Sequence, residues 1–521
     1  MVKESVVSEK HVSFWSDSIE KQIAFLPLDH NEETDIVIVG GGIAGISIAY
    51  NLIKLNRKVV VIDDGFIGGG ETGHTTAHLV NALDDRYYNL EKKFGEDEAK
   101  LIAESHSKAI DFIERTVKDE KINCEFERVN GYLFLHPSDD RDSLKKEFEA
   151  CIRAGIKVSL LNDIPGILGH VPGILFKNQG QIHPLKYLKG LCKIITDNGG
   201  KIYTQTHAKE IDKTGVVTDE GYKISANHVV VATNTPVNDM YVMHLKQYAY
   251  RTYVIGVLIN KYSVPHSLWW DTGDFDTNAD VPPYHYVRMQ NYNEQYDLLI
   301  CGGEDHSTGL ASVENLPEEN RYALLEDWCS RHFGGGEVVY RWSGQVLEPM
   351  DSLAYIGHNP FDADNVYIVT GDSGNGMTHG TIAGMLIADL ISGKENQWEK
   401  LYSPSRFKIF KAGDVFFRQV VGGFIAYLKD KPRHVDEVLL SEIKTGEGKI
   451  IDLNGKKYGA YAESKDKLHL VSAECTHLKC IIKWNNDEKS WDCPCHGSRF
   501  TYKGKVLNGP ANSNLQYIAE D

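Results

Sequence analysis

Two cysteine–histidine pairs carry the clearest chemical signal in the chain. Cys475 and His477 form a Cys-x-His pair, and Cys493 and His496 form a Cys-x-x-His pair after fifteen intervening residues. Two thiolates and two imidazoles can hold one two-iron, two-sulfur cluster, with both sulfurs on one iron and both nitrogens on the other. Because neutral nitrogen ligands raise the reduction potential to roughly −150 to +300 mV, the pattern predicts a one-electron centre of fairly high potential.

The two segments resemble the ligand boxes of the Rieske proteins of cytochrome bc complexes. The family boxes Cys-Thr-His-Leu-x-Cys and Cys-Pro-Cys-His-Gly-Ser correspond to residues 475–480 and 493–498. This resemblance implies four cluster ligands, which are Cys475, His477, Cys493 and His496.

The alternative is a structural zinc site, because zinc also binds two cysteines and two histidines. A zinc site does not need the further cysteines Cys480 and Cys495, between which a disulfide could clamp the two ligand loops. Nor does it need Ser498, which in the Rieske family hydrogen-bonds a cluster sulfur. Phe500 replaces a family tyrosine that donates to a ligand sulfur, and fewer donors predict a potential in the lower part of the Rieske range.

A glycine-rich segment at the other end of the chain predicts a dinucleotide site. The apolar run Asp35–Val39 leads into Gly40-Gly-Gly42-Ile-Ala-Gly45 and then into a helical pattern. Gly40 permits a tight turn, Gly42 lets the backbone approach a pyrophosphate, and Gly45 allows close packing of helix on strand.

A carboxylate follows at the distance that such a site requires. The second strand pattern, 58–62, ends in Asp63, eighteen residues after Gly45. A carboxylate at this point can accept a hydrogen bond from a ribose hydroxyl. The neighbouring Asp64 is the alternative.

The composition favours a soluble protein of two or three domains. With 521 residues, of which 42% are hydrophobic and 25% charged, the chain can bury ample core. The net charge of −17 argues against binding to nucleic acid. No apolar run is long enough for a membrane span, and the charged N-terminus lacks the apolar core of a secretory signal. We therefore expect a cytoplasmic protein, and nine cysteines do not indicate a disulfide-rich secreted one.

Residues 35 to about 400 resemble the FAD-dependent superfamily of D-amino-acid, glycine and sarcosine oxidases. Besides the glycine fingerprint, the shared motifs are Gly70–Ala77, Val229–Asn234, Trp342–Gln345, Asp351 with Ile356-Gly357, and Thr370–Met377. The resemblance implies a flavin that accepts a hydride from a carbon next to nitrogen, giving an imine that water hydrolyses. These motifs are specific for fold and cofactor but not for substrate.

The resemblance also implies the fold class. We expect a Rossmann-like α/β domain that binds FAD, interleaved with an antiparallel substrate sheet and followed by a small all-β Rieske domain. In chain order the expected parts are a lead segment at 1–34, the oxidoreductase at 35–405, a linker helix at 406–430 and the Rieske domain at 431–521. Within the oxidoreductase, FAD-binding parts are expected near 35–85, 180–240 and 350–400, and the substrate sheet mainly at 85–180 and 245–345.

The FAD contacts are expected from the glycine fingerprint, the segment around His74, and the glycines near residue 375, after which we expect a helix from about Ala383. They are Gly40, Gly42, Ile43, Ala44, Gly45, Asp63, Asp64, Thr72, His74, Thr75, Thr76, Thr233, Gly371, Gly374, Asn375, Gly376, Met377 and Thr378. His74 aligns with the histidine that is joined covalently to flavin in dimethylglycine and sarcosine dehydrogenases. The alternative is a contact with no bond, because other relatives carry arginine there.

The substrate pocket is less well defined by the sequence. In glycine-oxidase relatives an arginine of the Trp-x-Gly-x-Arg-Pro box binds the substrate carboxylate, whereas the position after Gly344 here is Gln345. Either the substrate is an amine without an α-carboxylate, or Arg251 or Arg288 supplies the charge. Further residues that could line the pocket are Tyr253, Tyr284, His285 and Tyr286, although strand tyrosines are usually packing residues and His285 could be a core histidine.

Three functions are compatible with these motifs. The first is an amine or amino-acid dehydrogenase that passes flavin electrons singly to its own cluster and on to an external acceptor protein. The second is a reductase, in which electrons pass from a donor protein through the cluster to the flavin. The third is an electron-transfer or redox-sensing module without a metabolite substrate. The fused cluster favours the first, because a built-in acceptor has no purpose if oxygen takes the electrons.

Overall fold

The computed structural model describes residues 11–238, 243–244, 246–275, 283–309, 320–360, 362–406 and 443–520. The linker helix expected at 406–430 lies outside the described residues except for Arg406. Within the described residues the chain forms nine α-helices. They are α1 (Phe14–Asp17), α2 (Ile43–Lys54), α3 (Tyr87–Phe94), α4 (Glu96–Asp119), α5 (Arg141–Arg153), α6 (Pro184–Asp197), α7 (Arg321–Phe333), α8 (Gly376–Ile391) and α9 (Glu399–Tyr402).

The strands of the flavoprotein part alternate with these helices. They are β1 (Glu32–Val39), β2 (Val59–Ile62), β3 (His78–Leu79), β4 (Glu127–Phe134), β5 (Val158–Leu161), β6 (Gly173–Gln181), β7 (Lys201–Tyr203), β8 (Ala208–Asp212), β9 (Gly215–Thr218), β10 (Lys223–Asn234), β11 (Gln247–Asn260), β12 (Ser267–Asp271), β13 (Tyr286–Asn291), β14 (Tyr296–Ser307), β15 (Glu337–Pro349), β16 (Tyr355–His358) and β17 (Val366–Thr370).

The strands of the last part are short. They are β18 (Gly448–Leu453), β19 (Lys456–Ser464), β20 (Lys467–Ser472), β21 (Lys483–Asn485), β22 (Ser490–Asp492), β23 (Arg499–Thr501), β24 (Val506–Asn508) and β25 (Tyr517–Glu520).

A largely parallel sheet forms the first layer. Its order is β16-β17-β10-β1-β2-β7, with β9 paired to β10 and β8 to β9. Strands β17, β10, β1, β2 and β7 run parallel. Because ligands bind at the carboxyl ends of parallel strands, the turn after β1 and the end of β2 lie where a dinucleotide is expected.

A second, nine-stranded sheet covers that edge. Its order is β15-β11-β14-β13-β12-β4-β6-β3, with β5 paired to β6. Side chains of β11 alternate between two cores, so that Val254 packs with the helices of the first layer while Tyr253 and Ile255 pack beneath α7. The sheet therefore has one face toward the flavin-binding layer and one face away from it.

The last part of the chain is a small all-β module. It contains two four-stranded sheets, ordered β18-β19-β20-β25 and β21-β22-β23-β24. The three-part fold class expected from the sequence is confirmed.

Two local features differ from what the sequence predicts. Helix α8 begins at Gly376, seven residues before the expected start, and its glycines are buried. A Cβ at Gly380 would lie 2.8 Å from Ile43, and one at Gly384 would lie 2.8 Å from Ser47, so these glycines allow α8 to pack closely on α2. The lead segment also contributes to the core, since Trp15 in α1 is fully buried.

The glycine fingerprint has the steric role that its spacing indicates. Gly40 has φ +109°, and a Cβ there would lie 2.4 Å from the carbonyl oxygen of Ala232. A Cβ at Gly45 would lie 1.9 Å from the carbonyl oxygen of Gly40. The turn between β1 and α2 therefore tolerates no side chain at either position.

Replacing Gly45 with alanine should separate α2 from β1. We expect Gly45→Ala to lower the free energy of unfolding by about 1–3 kcal/mol, as overpacking does, and to lower the FAD content of the purified protein. Thermal unfolding and flavin absorbance per polypeptide measure both effects. Gly335→Ala is the matched control, because its Cβ would make only an ordinary 3.7 Å contact with Ser330. Equal behaviour of the two variants would contradict this role for Gly45.

Candidate active site and cluster site

A cavity of about 920 Å³ lies between the parallel sheet, the nine-stranded sheet and loops of the all-β module. The fingerprint turn and the start of α8 form one side of its lining. Residues Val506–Gly509, from the all-β module, form part of another side. Both parts of the protein therefore build the same cavity.

The start of α2 is suited to a pyrophosphate. Gly42 caps the helix without any side-chain hydrogen bond. The Ile43 N–H donates to Thr72 Oγ1 at 3.0 Å, which ties the following loop to the helix. Helix α8 begins beside it, after Asn375, and its cap also makes no side-chain hydrogen bond. Two uncapped helix starts thus face the cavity, as anion binding requires.

Asp63 and Asp64 both line the cavity at the end of β2. The N–H groups of Gly41 and Gly65 donate to Asp63 at 2.7 and 2.8 Å, which fixes the orientation of this carboxylate. Burial, together with the nearby Asp64, raises the pKa of Asp63 to about 7. The Asp64 side chain is 70% exposed and lies 3.6 Å from His207. The geometry favours Asp63 as the ribose partner.

The segment around His74 lies against the same cavity. His74 Nδ1 is 3.0 Å from the Gly70 carbonyl oxygen. Trp342 Nε1 donates to the His74 carbonyl at 2.8 Å, and Trp15 Nε1 donates to the Thr75 carbonyl at 2.6 Å. Two buried indoles therefore hold this segment in place. Whether His74 bonds covalently to the flavin stays a prediction.

Most of the expected FAD contacts reach the cavity, and three do not. The residues that line it are Gly40, Gly42, Ile43, Ala44, Asp63, Asp64, Thr72, His74, Thr75, Thr76, Thr233, Gly374, Asn375, Gly376 and Met377. Gly45, Gly371 and Thr378 lie behind this lining. Gly371 has φ +70° and packs against Pro349, and the Thr378 hydroxyl bonds with His106 at 2.8 Å.

Arg288, Tyr253 and His285 are corrections to the expected substrate pocket, because none of them lines the cavity. The buried Arg288 guanidinium donates to the carbonyl oxygens of Thr76, Ala77 and Ile182 and to Gln290. Its charge is used to hold the backbone, not to bind substrate.

Tyr253 and His285 are on the face of the sheet that points away from the flavin layer. The Tyr253 ring stacks on His306, with centroids 5.8 Å apart. His285 stacks on Trp328 at 4.0 Å, and its Nδ1 lies 2.8 Å from Asp271. Burial lowers the pKa of His285, but Asp271 and Glu304 outweigh that effect and raise it to about 9. It is a paired core histidine.

The strand register also revises the role of Gln345. Arg251 and Gln345 are opposite each other on β11 and β15, and both point toward the all-β module. Gly344 and Val346 point the other way, toward the flavin layer, because strand residues alternate. Since the arginine of the family box follows the glycine by two residues, its position is Val346. The carboxylate clamp is absent, as expected, but Gln345 is not its replacement.

The four expected cluster ligands converge in the all-β module. Cys475 and Cys493 are 1% exposed and their sulfurs are in contact. The rings of His477 and His496 are 5.1 Å apart between centroids. Burial, with His477 and His244 nearby, lowers the pKa of His496 to about 3, and its buried Nδ1 makes no hydrogen bond among the described residues. Two thiols and two neutral imidazoles fit a Rieske cluster.

The surroundings of these ligands also fit that cluster. Cys480 and Cys495 form a disulfide, with Cα atoms 6.5 Å apart. The sulfurs of Cys480, Cys493 and Cys495 lie within 4.8 Å of one another, but the bonded pair cannot bind metal. A hydrogen bond with Cys493 lowers the pKa of Cys475, and a hydrogen bond from the Ser498 hydroxyl acts in the same direction. Phe500 is fully buried where the family has tyrosine.

A buried carboxylate of this module, Glu488, contacts the substrate sheet. Arg251 donates to Ser343, which donates to Glu488, and the Arg251 guanidinium is 3.5 Å from that carboxylate. Tyr322 donates to Glu488 at 2.8 Å, and Arg499 is 3.7 Å away. Burial would raise the pKa of Glu488, but its hydrogen bonds and the two arginines hold it well below its ordinary value.

Two further contacts join the ligand loops to the cavity. Gln345 Nε2 donates to the Gly497 carbonyl at 3.0 Å, next to the ligand His496. Glu71 accepts from the Gln345 N–H at 2.7 Å and from Asn508 at 2.8 Å.

His244 also joins the two parts, since it packs edge-on against His477 and His496 at 5.1 and 6.0 Å. Sequence reasoning missed Glu71, His244 and Glu488. No local pattern marks them, because their partners are more than a hundred residues away.

Comparison with known proteins agrees with this geometry. Residues 35–390 match the FAD dependent oxidoreductase family, and residues 435–519 match the Rieske [2Fe-2S] domain. The chain belongs to the FAD-dependent oxidoreductase family and carries a C-terminal Rieske domain. It therefore binds FAD and a Rieske two-iron, two-sulfur cluster. Among the described residues, no helix is both long and apolar enough to span a bilayer.

Individual relatives share both parts or only the first. The Rieske 2Fe-2S iron-sulfur protein YhfW of Bacillus subtilis (strain 168) is 32% identical over the full length of both chains. Gamma-glutamylputrescine oxidoreductase of Escherichia coli (strain K12) is 26% identical over 75% of this chain and 92% of its own. The structure of glycine oxidase from Geobacillus kaustophilus aligns with TM-score 0.59 and 17% identity over 72% of this chain and all of its own.

Removing the charge of Glu488 should weaken the contact between the two parts. We expect Glu488→Gln to lower the free energy of unfolding by about 3 kcal/mol, because it leaves the buried Arg251 without its paired anion, whereas Arg499 keeps Asp492 at 3.0 Å. Guanidinium unfolding followed by the visible circular dichroism of the cluster measures this loss. As the control, Glu447→Gln removes a surface pair with Lys449, where Glu447 is 34% exposed, and should cost less than about 1 kcal/mol. Similar losses in both variants would contradict the assignment.

Proposed function

We propose that the protein is an amine dehydrogenase that oxidises a C–N bond of a small amine or amino acid and delivers the electrons to its own Rieske cluster. Bound FAD would accept a hydride from the carbon next to nitrogen, and the cluster would accept electrons one at a time for an external acceptor protein. The observation that carries this proposal is that loops of the Rieske domain line the same cavity as the FAD fingerprint.

The contacts between the two parts support intramolecular transfer. The side chain of Gln345 lines the cavity and donates to Gly497, whose neighbour His496 is a cluster ligand. A short covalent and hydrogen-bonded route thus leads from the cavity to the cluster. Glu71 joins the same two parts of the protein, because it accepts from the Gln345 backbone and from Asn508 of the Rieske domain.

The substrate class is supported by the relatives and by the strand register. The gamma-glutamylputrescine oxidoreductase of Escherichia coli is named for an amine substrate. In this chain the clamp position is Val346, and Arg251 already faces Glu488. We therefore favour an amine over an α-amino acid. A cytoplasmic location and a separate acceptor protein are part of the same proposal.

Anaerobic mixing with a panel of amines tests the direction of electron flow. We expect the flavin to bleach and the paramagnetic signal of the reduced cluster to appear after it, because the cluster takes electrons from the cavity. In Cys493→Ser the flavin should bleach at a similar rate with no cluster signal. Cys329→Ser, which replaces a buried free cysteine in α7 outside the site, is the control and should behave as the unmodified protein.

Measuring oxygen consumption shows whether oxygen, and not the cluster, takes the electrons from the flavin. If substrate produces hydrogen peroxide rapidly, and equally fast in Cys493→Ser, then the protein is an oxidase and the dehydrogenase proposal is wrong. If no amine or amino acid bleaches the flavin while a reduced electron-transfer protein reduces the cluster and then the flavin, the reverse direction is correct.

A further inference from the structure

One end of the cavity is aromatic and acidic. It is formed by the flavin-facing side of the nine-stranded sheet and by the loop before α3. We call this end the tyrosine–aspartate pocket, and it comprises Asp84, Tyr250, Trp270, Tyr284 and Tyr286, all of which line the cavity.

Hydrogen bonds hold the phenols of this pocket in place. The Tyr284 hydroxyl donates to Asp84 Oδ2 at 2.9 Å. The Tyr286 hydroxyl is 2.6 Å from the hydroxyl of Thr252. The Tyr284 and Tyr286 rings lie 5.5 Å apart between centroids, tilted by 40°. Both rings are therefore fixed in position where they line the cavity.

A second carboxylate strengthens the negative field. Asp305 is 1% exposed, and neither of its oxygens makes a hydrogen bond within the part of the chain that the structure describes. Burial raises the pKa values of Tyr250, Tyr284 and Tyr286 well above the ordinary value, and the charge of Asp305 raises them further. Burial also raises the pKa of Asp305 to about 7 and of Asp84 to about 6, and this effect outweighs the opposing charges of His285 and Arg86.

The Lys and Arg side chains of the described cavity lining lie outside the tyrosine–aspartate pocket. Among the described residues that line the cavity, the Lys and Arg side chains are Arg251, Arg499 and Lys505. Arg251 and Arg499 face the buried Glu488, and Lys505 belongs to the Rieske domain. Arg86 acts on Asp84 from outside the cavity, with its guanidinium bonded to the carbonyl oxygens of Leu83 and Asp271.

We propose that the tyrosine–aspartate pocket binds the ammonium group of a cationic amine that has no α-carboxylate. This inference rests on the proposed amine oxidation and names its substrate class. Fixed aromatic faces attract a cation through their quadrupoles, and a carboxylate at their edge adds a charged partner. The α-carboxylate of an amino acid would meet Asp84 and Val346 instead of an arginine, and would be repelled.

Tetramethylammonium is the probe that tests this subsite, because it has no N–H and cannot form an imine. Its binding to the oxidised FAD-loaded protein is followed by the shift in flavin absorbance. We expect Asp84→Asn to weaken binding by about 10- to 100-fold, the effect of removing a charged partner. Asp85→Asn is the matched control, because Asp85 lies outside the cavity near Lys93 and should leave the affinity nearly unchanged.

A second test compares glycine with glycinamide, in which an uncharged amide replaces the α-carboxylate. Glycinamide should bind more tightly than glycine, and the preference should disappear in Asp84→Asn. If that variant does not fold, Tyr284→Phe should reduce the same preference, because it removes the hydroxyl that orients Asp84. Tighter binding of glycine than glycinamide, or unchanged tetramethylammonium binding in Asp84→Asn, would overturn the proposal. If tetramethylammonium binds through Asp84 but no amine bleaches the flavin, the subsite stands and the proposed oxidation fails.

Discussion

A single buried carboxylate connects the two redox parts of this protein. Glu488 belongs to the Rieske domain but lies between Arg251 of the substrate sheet and Arg499 of its own domain, with 4% of its surface exposed. An ion taken out of water costs several kcal/mol unless it is paired. Arg499 is a partner from its own domain, and docking on the flavoprotein part adds Arg251, Ser343 and Tyr322. In the same orientation Gln345 donates to the Gly497 carbonyl, next to the cluster ligand His496.

The strand pair β11 and β15 has one face toward the Rieske domain and one face toward the flavin layer. One face of this pair carries Arg251 and Gln345, which contact the Rieske domain. The other face carries Tyr250 and Val346, which also line the cavity. Alternation along a strand makes both faces available from adjacent residues. Adjacent residues of the same two strands therefore contact the Rieske domain and line the flavin side of the cavity.

The sequence predicted those features that depend on short spacing. The cluster ligands and the Gly40–Gly45 turn are local patterns whose chemistry fixes their residue types, and both converge as expected. The arginine of the family box could also have been placed at Val346 from the sequence, because the box puts it two residues after Gly344 and therefore on the strand face opposite to Gln345. Glu488 could not have been found in this way, since it and Arg251 are more than two hundred residues apart and only the packing of two domains brings them together. The sequence alone also does not distinguish Arg288 from a substrate-binding arginine, because its backbone partners lie far away in the chain.

Flash photoreduction of the flavin, followed by the absorbance of the cluster, tests most directly whether the two centres form one electron-transfer unit. The structure predicts that the cluster is reduced at a rate independent of protein concentration, because the donor and acceptor are docked within one chain. A rate proportional to protein concentration, or cluster reduction that is absent while the flavin remains reduced, would contradict this account.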